Sequence, residues 1–208
     1  MSRIRTRLIA SVFPWCLMAL GASALAASGA DGQAEAADAT MRRAASAERA
    51  GRTNEAVSAY VSLLARDTAC EAVVAPRLVS LYAGSGDSAQ ALAWAARAAR
   101  GQPCPKAYLA GVYALIGQLA EAEFLLRDAL RDERDPYRRT PLLWQLAEVQ
   151  ERQGRNEAAR ATLDLAHDAS NDERLRQTTE QRLAALANRM DASRPPCSKD
   201  QPTAEDKP

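Results

Sequence analysis

The sequence predicts an all-α fold: an α-solenoid of about four helix-turn-helix repeats with a C-terminal capping helix. Three observations carry this. Glycines recur at 51, 86, 117 and 154, which are 35, 31 and 37 residues apart. Each is followed five positions later by an alanine, Ala56, Ala91, Ala122 and Ala159. A recurrence of this length marks stacked supersecondary units, since one helix pair cannot bury its apolar face alone. Composition agrees. The 208 residues are 47% apolar and 25% charged, with only two Phe. Abundant Ala, Leu, Arg, Glu and Gln favour helix over strand.

The chain begins with Arg3, Arg5 and Arg7, then an apolar run from Leu8 to Leu20 and a small-residue zone, GASALAASGA. A basic start, a short apolar middle and an A-x-A end describe a secretory signal peptide. We place it at 1–26, with cleavage after Ala26 favoured over Ala24. The expected location is therefore periplasmic or secreted. The alternative is an uncleaved N-terminal anchor in the inner membrane facing the periplasm, although the run is short for a span and Pro14 interrupts it. Trp15 before Cys16 argues against lipidation. Losing Arg3, Arg5 and Arg7 takes the net charge from +1 to −2. Neither value creates a field that draws nucleic acid or anionic lipid.

Residues 27–36 are small and acidic with no apolar period, and read as a flexible lead-in. The array itself is placed at 37–190. Its first helix covers about Ala37 to Ala50 and stops at Gly51. Thr53 or Asn54 caps the second helix, which runs to about Arg66 with Ala56, Tyr60 and Leu63 on one face. The second unit starts near Cys70, carries Val74, Leu78, Leu81 and Tyr82, and turns at Gly84-Ser85-Gly86. Asp87 or Ser88 caps a helix with Ala91, Trp94, Ala95 and Ala98 inward. In the third unit Tyr108, Leu109, Val112, Tyr113 and Ile116 precede Gly117; Ala122, Leu125, Leu126 and Ala129 follow it. Asp132 to Thr140 reads as a long charged link. The fourth unit begins at Pro141, a favourable first helical residue, with Leu142, Leu143, Leu146, Ala147 and Val149 inward, then Ala159, Leu163 and Ala166. Asn171 or Asp172 caps a last helix to about Arg189, whose polar outer face would shield the array's end. Residues 191–208 are Pro-rich and charged, the composition of a disordered tail.

These units resemble tetratricopeptide repeats. That pattern sets a Leu, a small residue and an aromatic in the first helix, then the turn glycine and two alanines in the second. It appears as Leu78, Tyr82, Gly86, Ala91 and Ala98, and again as Leu109-Ala110, Tyr113, Gly117, Ala122 and Ala129. The fourth unit has Leu146-Ala147, Gly154, Ala159 and Ala166, with Gln150 in the aromatic position. The first has Arg43-Ala44 and Ala47, which makes its leading helix the poorest match.

The resemblance implies that first helices line a groove holding a peptide or partner helix. Arg42, Arg49, Arg77, Tyr108, Trp144 and Arg152 are then the expected partner contacts. The Lys and Asn residues that clamp a C-terminal carboxylate in chaperone-binding members have no counterpart here. Cys70 and Cys104 stand one repeat apart, which suggests a disulfide between successive loops; Cys197 is left over. No C-x-x-C spacing supports a metal or redox site. His167 is the one histidine, so no triad can be assembled around a second. The expected function is a non-enzymatic adaptor or scaffold of the cell envelope, with no cofactor, metal, small-molecule substrate or nucleic acid. Alternatives are a permanent subunit of an envelope complex and an accessory factor to an exported enzyme or maturation system.

Overall fold

The computed structural model describes residues 30–193. The expected signal segment 1–26, Cys197 and the tail beyond 193 lie outside the described residues. Within them every regular element is helical: α1 (Ala30–Arg49), α2 (Thr53–Arg66), α3 (Glu71–Ser85), α4 (Ser88–Ala98), α5 (Pro105–Leu115), α6 (Leu119–Asp132), α7 (Pro136–Arg152), α8 (Asn156–Ala169) and α9 (Glu173–Ser193). Short 3-10 turns precede α3 and follow α4. No described helix is long and apolar enough to cross a membrane.

The repeat is visible first as chemistry of the turn. Gly51, Gly86, Gly117 and Gly154 all take positive φ, between 72° and 87°, a region where a Cβ is costly. At each, the following residue's N–H reaches back five positions: Arg52 to Ala47, Asp87 to Tyr82, Gln118 to Tyr113 and Arg155 to Gln150, all at 2.9 Å. This closes the orphan carbonyls of the preceding helix as a Schellman turn does. The recurring alanine then donates to the carbonyl of the residue after the glycine, at 3.0 to 3.2 Å, in all four copies. Ala56, Ala91, Ala122 and Ala159 are fully buried. A small side chain at such a position lets the two helices of a pair approach closely. Seven residues before each glycine lies a second buried small position, occupied by Ala44, Val79, Ala110 and Ala147.

The chain divides into two compact units, up to and after Leu125. In the first, α1 pairs with α2 and α3 with α4, with α2 against α3 and α4 against α5. Its largest apolar cluster is Ala44, Ala47, Ala56, Tyr60, Leu63, Leu64, Val74 and Leu78. A second joins Val79, Ala95 and Val112. Arg97 clasps α4 to α3: its Nε donates to Glu71 Oε1 at 2.7 Å, holding that carboxyl below the usual range. Its guanidinium lies over the Trp94 ring, 4.4 Å from the centroid, a favourable cation–π placement.

In the second unit α7 pairs with α8, and α9 lies on α8. The core joins Ala147, Ala159, Leu163 and Leu186. Gln150, standing where the repeat pattern wants an aromatic, is buried, and its Oε1 accepts from Thr162 Oγ1 at 2.7 Å. A side-chain hydrogen bond thus replaces ring packing between α7 and α8.

Several expectations are corrected. The lead-in 27–36 is helical from Ala30. The first helix, expected over about 37–50 and the poorest match to the repeat pattern, is formed, with Ala44 and Ala47 both fully buried and Arg43 turned out toward Glu55. The N-cap of α2 is Arg52, with no side-chain cap bond, so neither Thr53 nor Asn54 serves. α7 starts at Pro136, not Pro141: Asp135 accepts from the Tyr137 N–H at 3.0 Å and Pro136 takes the first helical position. The charged link therefore contributes a helical turn. α9 runs on to Ser193.

Cys70 and Cys104 are free thiols, so the expected disulfide is absent. Cys70 caps the start of α3, and its Sγ donates to Asp67 Oδ2 at 3.2 Å; burial and this carboxylate raise the thiol's pKa. Cys104 caps α5. Equivalent points on neighbouring helices stand about 8–10 Å apart, while a bridge needs Cα atoms within about 7 Å. One repeat of separation in sequence is not one bond length in space.

Candidate functional site

The six expected contact residues fall into three classes. Arg42 and Arg49 are exposed on α1, one paired with Asp38 four residues earlier and the other donating to the Ala45 carbonyl at 3.3 Å. Arg152 is exposed in the last turn of α7. These three are accessible cations. Tyr108 is half-buried against the Val79, Ala95 and Val112 cluster, so its ring is packing. Trp144 is half-buried beneath α9: its Nε1–H donates to Thr179 Oγ1 at 2.9 Å, and Arg182 stacks over the ring at 5.1 Å.

Arg77 belongs to a node that the sequence did not reveal. Glu48 Oε2 accepts from Tyr60 Oη at 2.9 Å and from Arg77 Nη1 at 3.1 Å. One carboxylate thus ties α1, α2 and α3. Tyr60 is fully buried; burial, with the Glu48 hydrogen bond second, pushes its pKa up to about 12. Burial alone would lower the Arg77 pKa, but Tyr60 and Glu48 raise it on balance. An acidic ligand would have to compete with Glu48 for this guanidinium.

Phe124, with 67% of its surface exposed, was also missed. It stands on α6 over an open depression of about 420 Å³, lined by Leu109 and Tyr113 of α5 and by Ala120, Glu121 and Leu125. The signal was available: Phe124 is out of phase with the buried Ala122, Leu126 and Ala129 of the same helix. On α3, Val73 is 56% exposed one turn before Arg77, on the face expected to meet a partner.

His167 closes α8 with 39% of its side chain exposed, 3.7 Å from Asp168 and 3.5 Å from Glu180. Among the described residues no group of three or more His, Cys, Asp or Glu can hold a metal ion. No family model matches the chain, and no curated protein matches it.

Proposed function

We propose that the chain is a non-enzymatic adaptor that holds a protein partner in the cell envelope, built on repeats of tetratricopeptide type. The observation supporting this is the fourfold turn: the same glycine conformation, hydrogen bonds and buried alanine recur at one repeat's spacing. A preformed array of this kind offers a helix or extended peptide an ordered surface at little entropic cost. In this reading the partner meets the α1 and α3 face, through Arg42, Arg49, Val73 and Arg77. The apolar start of the sequence supports export. A permanent subunit of an envelope complex is the second reading, favoured by Phe124, since obligate partners cover larger apolar patches.

A photoreactive amino acid placed at Val73, at Phe124 and at exposed Arg160 in separate full chains distinguishes these. A discrete cross-linked protein at Val73 alone is the expected result. Cross-linking at Phe124 alone moves the site to the depression and favours the subunit reading. Equal labelling at all three, or none, defeats the adaptor. Mass spectrometry of the exported chain should show loss of 26 residues; an intact N-terminus would favour the anchor.

A further inference from the structure

Helix α9 is held unlike the other helices of its unit. Of residues 173–192 only Thr179 and Leu186 are buried, against seven residues of α7. Its inward stripe is Leu175, Thr179, Leu183, Leu186 and Met190, spaced 4, 4, 3 and 4, the seam of an amphipathic helix laid on a neighbour. Leu183, Leu186 and Met190 cover Trp144, Ala147, Ala159 and Leu163. One hydrogen bond crosses this thin seam, from Trp144 Nε1–H to the buried Thr179 Oγ1 at 2.9 Å, and the remaining polar contacts are charged and partly in water. Arg189 reaches Glu151, Glu180 faces His167 at 3.5 Å, and Arg182 covers Trp144. Exposed pairs of this sort contribute little and are screened by salt. The link into α9 is anchored at one residue, Ser170, whose carbonyl also accepts from Arg176 Nε of α9 at 3.0 Å. Ser170 is fully buried, bonded to Thr140 Oγ1 at 3.2 Å and to the Ala166 carbonyl at 2.6 Å. Asn171 then stands exposed before Asp172 caps α9.

We infer that α9 is a displaceable occupant of a helix-binding seat on α7 and α8, formed by Trp144, Ala147, Ala159 and Leu163. The partner fitting that seat is an amphipathic helix of α9's own chemistry: apolar residues at the spacing of Leu183, Leu186 and Met190, a hydroxyl placed as Thr179 is to accept from Trp144 Nε1–H, and a cation placed as Arg182 is, over Trp144. The seat deepens the adaptor reading and rests on it only for the existence of a partner; undocking of α9 stands without one. Local opening of a sparsely buried element, ahead of global unfolding, is the physical basis. While α9 is docked, a partner in trans competes with a tethered helix at high effective concentration, so the seat is closed at rest.

Hydrogen exchange on the full chain tests the opening. Backbone amides of α9 should exchange at least about 100-fold faster than the buried amides of α7 and α8; exchange at one common rate overturns the inference. A labelled synthetic peptide of residues 173–193 tests the seat. It should bind the full-length Leu186→Asp chain at least about 30-fold more tightly than the unmodified chain, since the variant's own helix no longer competes. The same peptide with Arg182→Ala should bind several-fold more weakly. Equal binding to both chains, or no binding to a variant whose α7 and α8 amides stay protected, overturns it. Loss of α7 and α8 protection in Leu186→Asp shows that α9 is an integral part of the unit, and also overturns it. The exchange result needs no partner, so the seat and the cross-linking at Val73 can fail separately.

Discussion

Helices α2 and α9 are both laid against neighbouring helices, yet they are fastened by different physics. α2 buries Ala56, Tyr60, Leu63 and Leu64 and sends a buried phenol to the half-buried Glu48, which also accepts from Arg77, so three helices share one carboxylate. α9 buries only Thr179 and Leu186, takes one hydrogen bond from Trp144 on Thr179, and has charged contacts at its margins. A buried phenol bonded to a carboxylate inside an apolar cluster fixes register, because displacing Glu48 leaves the Tyr60 hydroxyl buried and unmatched. An amphipathic seam with two buried residues, one hydrogen bond to Trp144 and partly exposed ion pairs at its rim fixes position with fewer buried groups. The difference separates a helix that is part of a core from one that rests on it.

The sharpest way to break this contrast is to remove the two anchors in turn. Tyr60→Ala should cost about 3–5 kcal/mol, the range for emptying a large buried aromatic site, read by urea denaturation of the whole chain. Leu186→Ala should cost less, about 2 kcal/mol, and should speed exchange of α9 amides without changing those of α7. Equal losses, or a Leu186 effect that spreads through α7, would abolish the distinction.

Removing only the Tyr60 hydroxyl isolates the node. Tyr60→Phe should cost about 1–2 kcal/mol, since a hydrogen bond to a charged acceptor is lost while Arg77 still satisfies Glu48. The sign of the pH dependence follows from the raised pKa. The native state holds Tyr60 neutral up to about 12, while the unfolded phenol ionises near 10. The contribution is therefore fully present below pH 10 and is lost as the pH rises from 10 toward 12. Denaturation midpoints across that window should fall more steeply for the unmodified chain than for Tyr60→Phe; parallel slopes would remove the node from the account.

The turns supply a control. Gly51 joins α1 to α2 and Gly154 joins α7 to α8, with φ of 72° and 77°. A Cβ at either would meet nothing within 4 Å, so Gly→Ala costs only backbone conformation, about 1 kcal/mol at each. Matching losses would place the asymmetry in the helices. A gap above about 0.5 kcal/mol would place it in the turns.

The parts of the fold that were legible were those written in local chemistry. A glycine forced to positive φ and an alanine at a helix crossing leave the same residues in each copy, which is why four turns could be read from spacing alone. The start of α7 was misread because Pro141 mimics a first-turn proline, whereas Asp135 and Pro136 form a better cap six residues earlier. Arg139 closes that link by donating to the carbonyls of Leu130 and Glu133, at 3.0 and 3.1 Å, a contact no local pattern announces. The site was less legible. Glu48 looks like any solvated acid until Tyr60 and Arg77, 12 and 29 residues away, converge on it. Tyr108 and Trp144 sit at groove positions by count, but their rings reach into packing and under α9. Counting along a helix places a Cβ; it does not say what a long side chain covers.

The smallest effect tests how α9's rim is held. Glu151 accepts from Arg189, a contact that should lower its pKa, yet burial outweighs it and the carboxyl is raised. Glu148 adds repulsion; Arg182 offsets some of it. A raised native pKa means the ionised form costs stability at neutral pH, and that cost fades as the pH falls through the native value. Arg189 is 61% exposed and keeps its water, so it repays little of the desolvation. Glu151→Gln should therefore change stability by less than about 0.5 kcal/mol at pH 7, and a small gain is the expected sign. A loss of 2 kcal/mol or more in a denaturant titration would mean that the Arg189 pair clamps α9 in earnest. The helix at the end of the chain would then be fastened as firmly as α2.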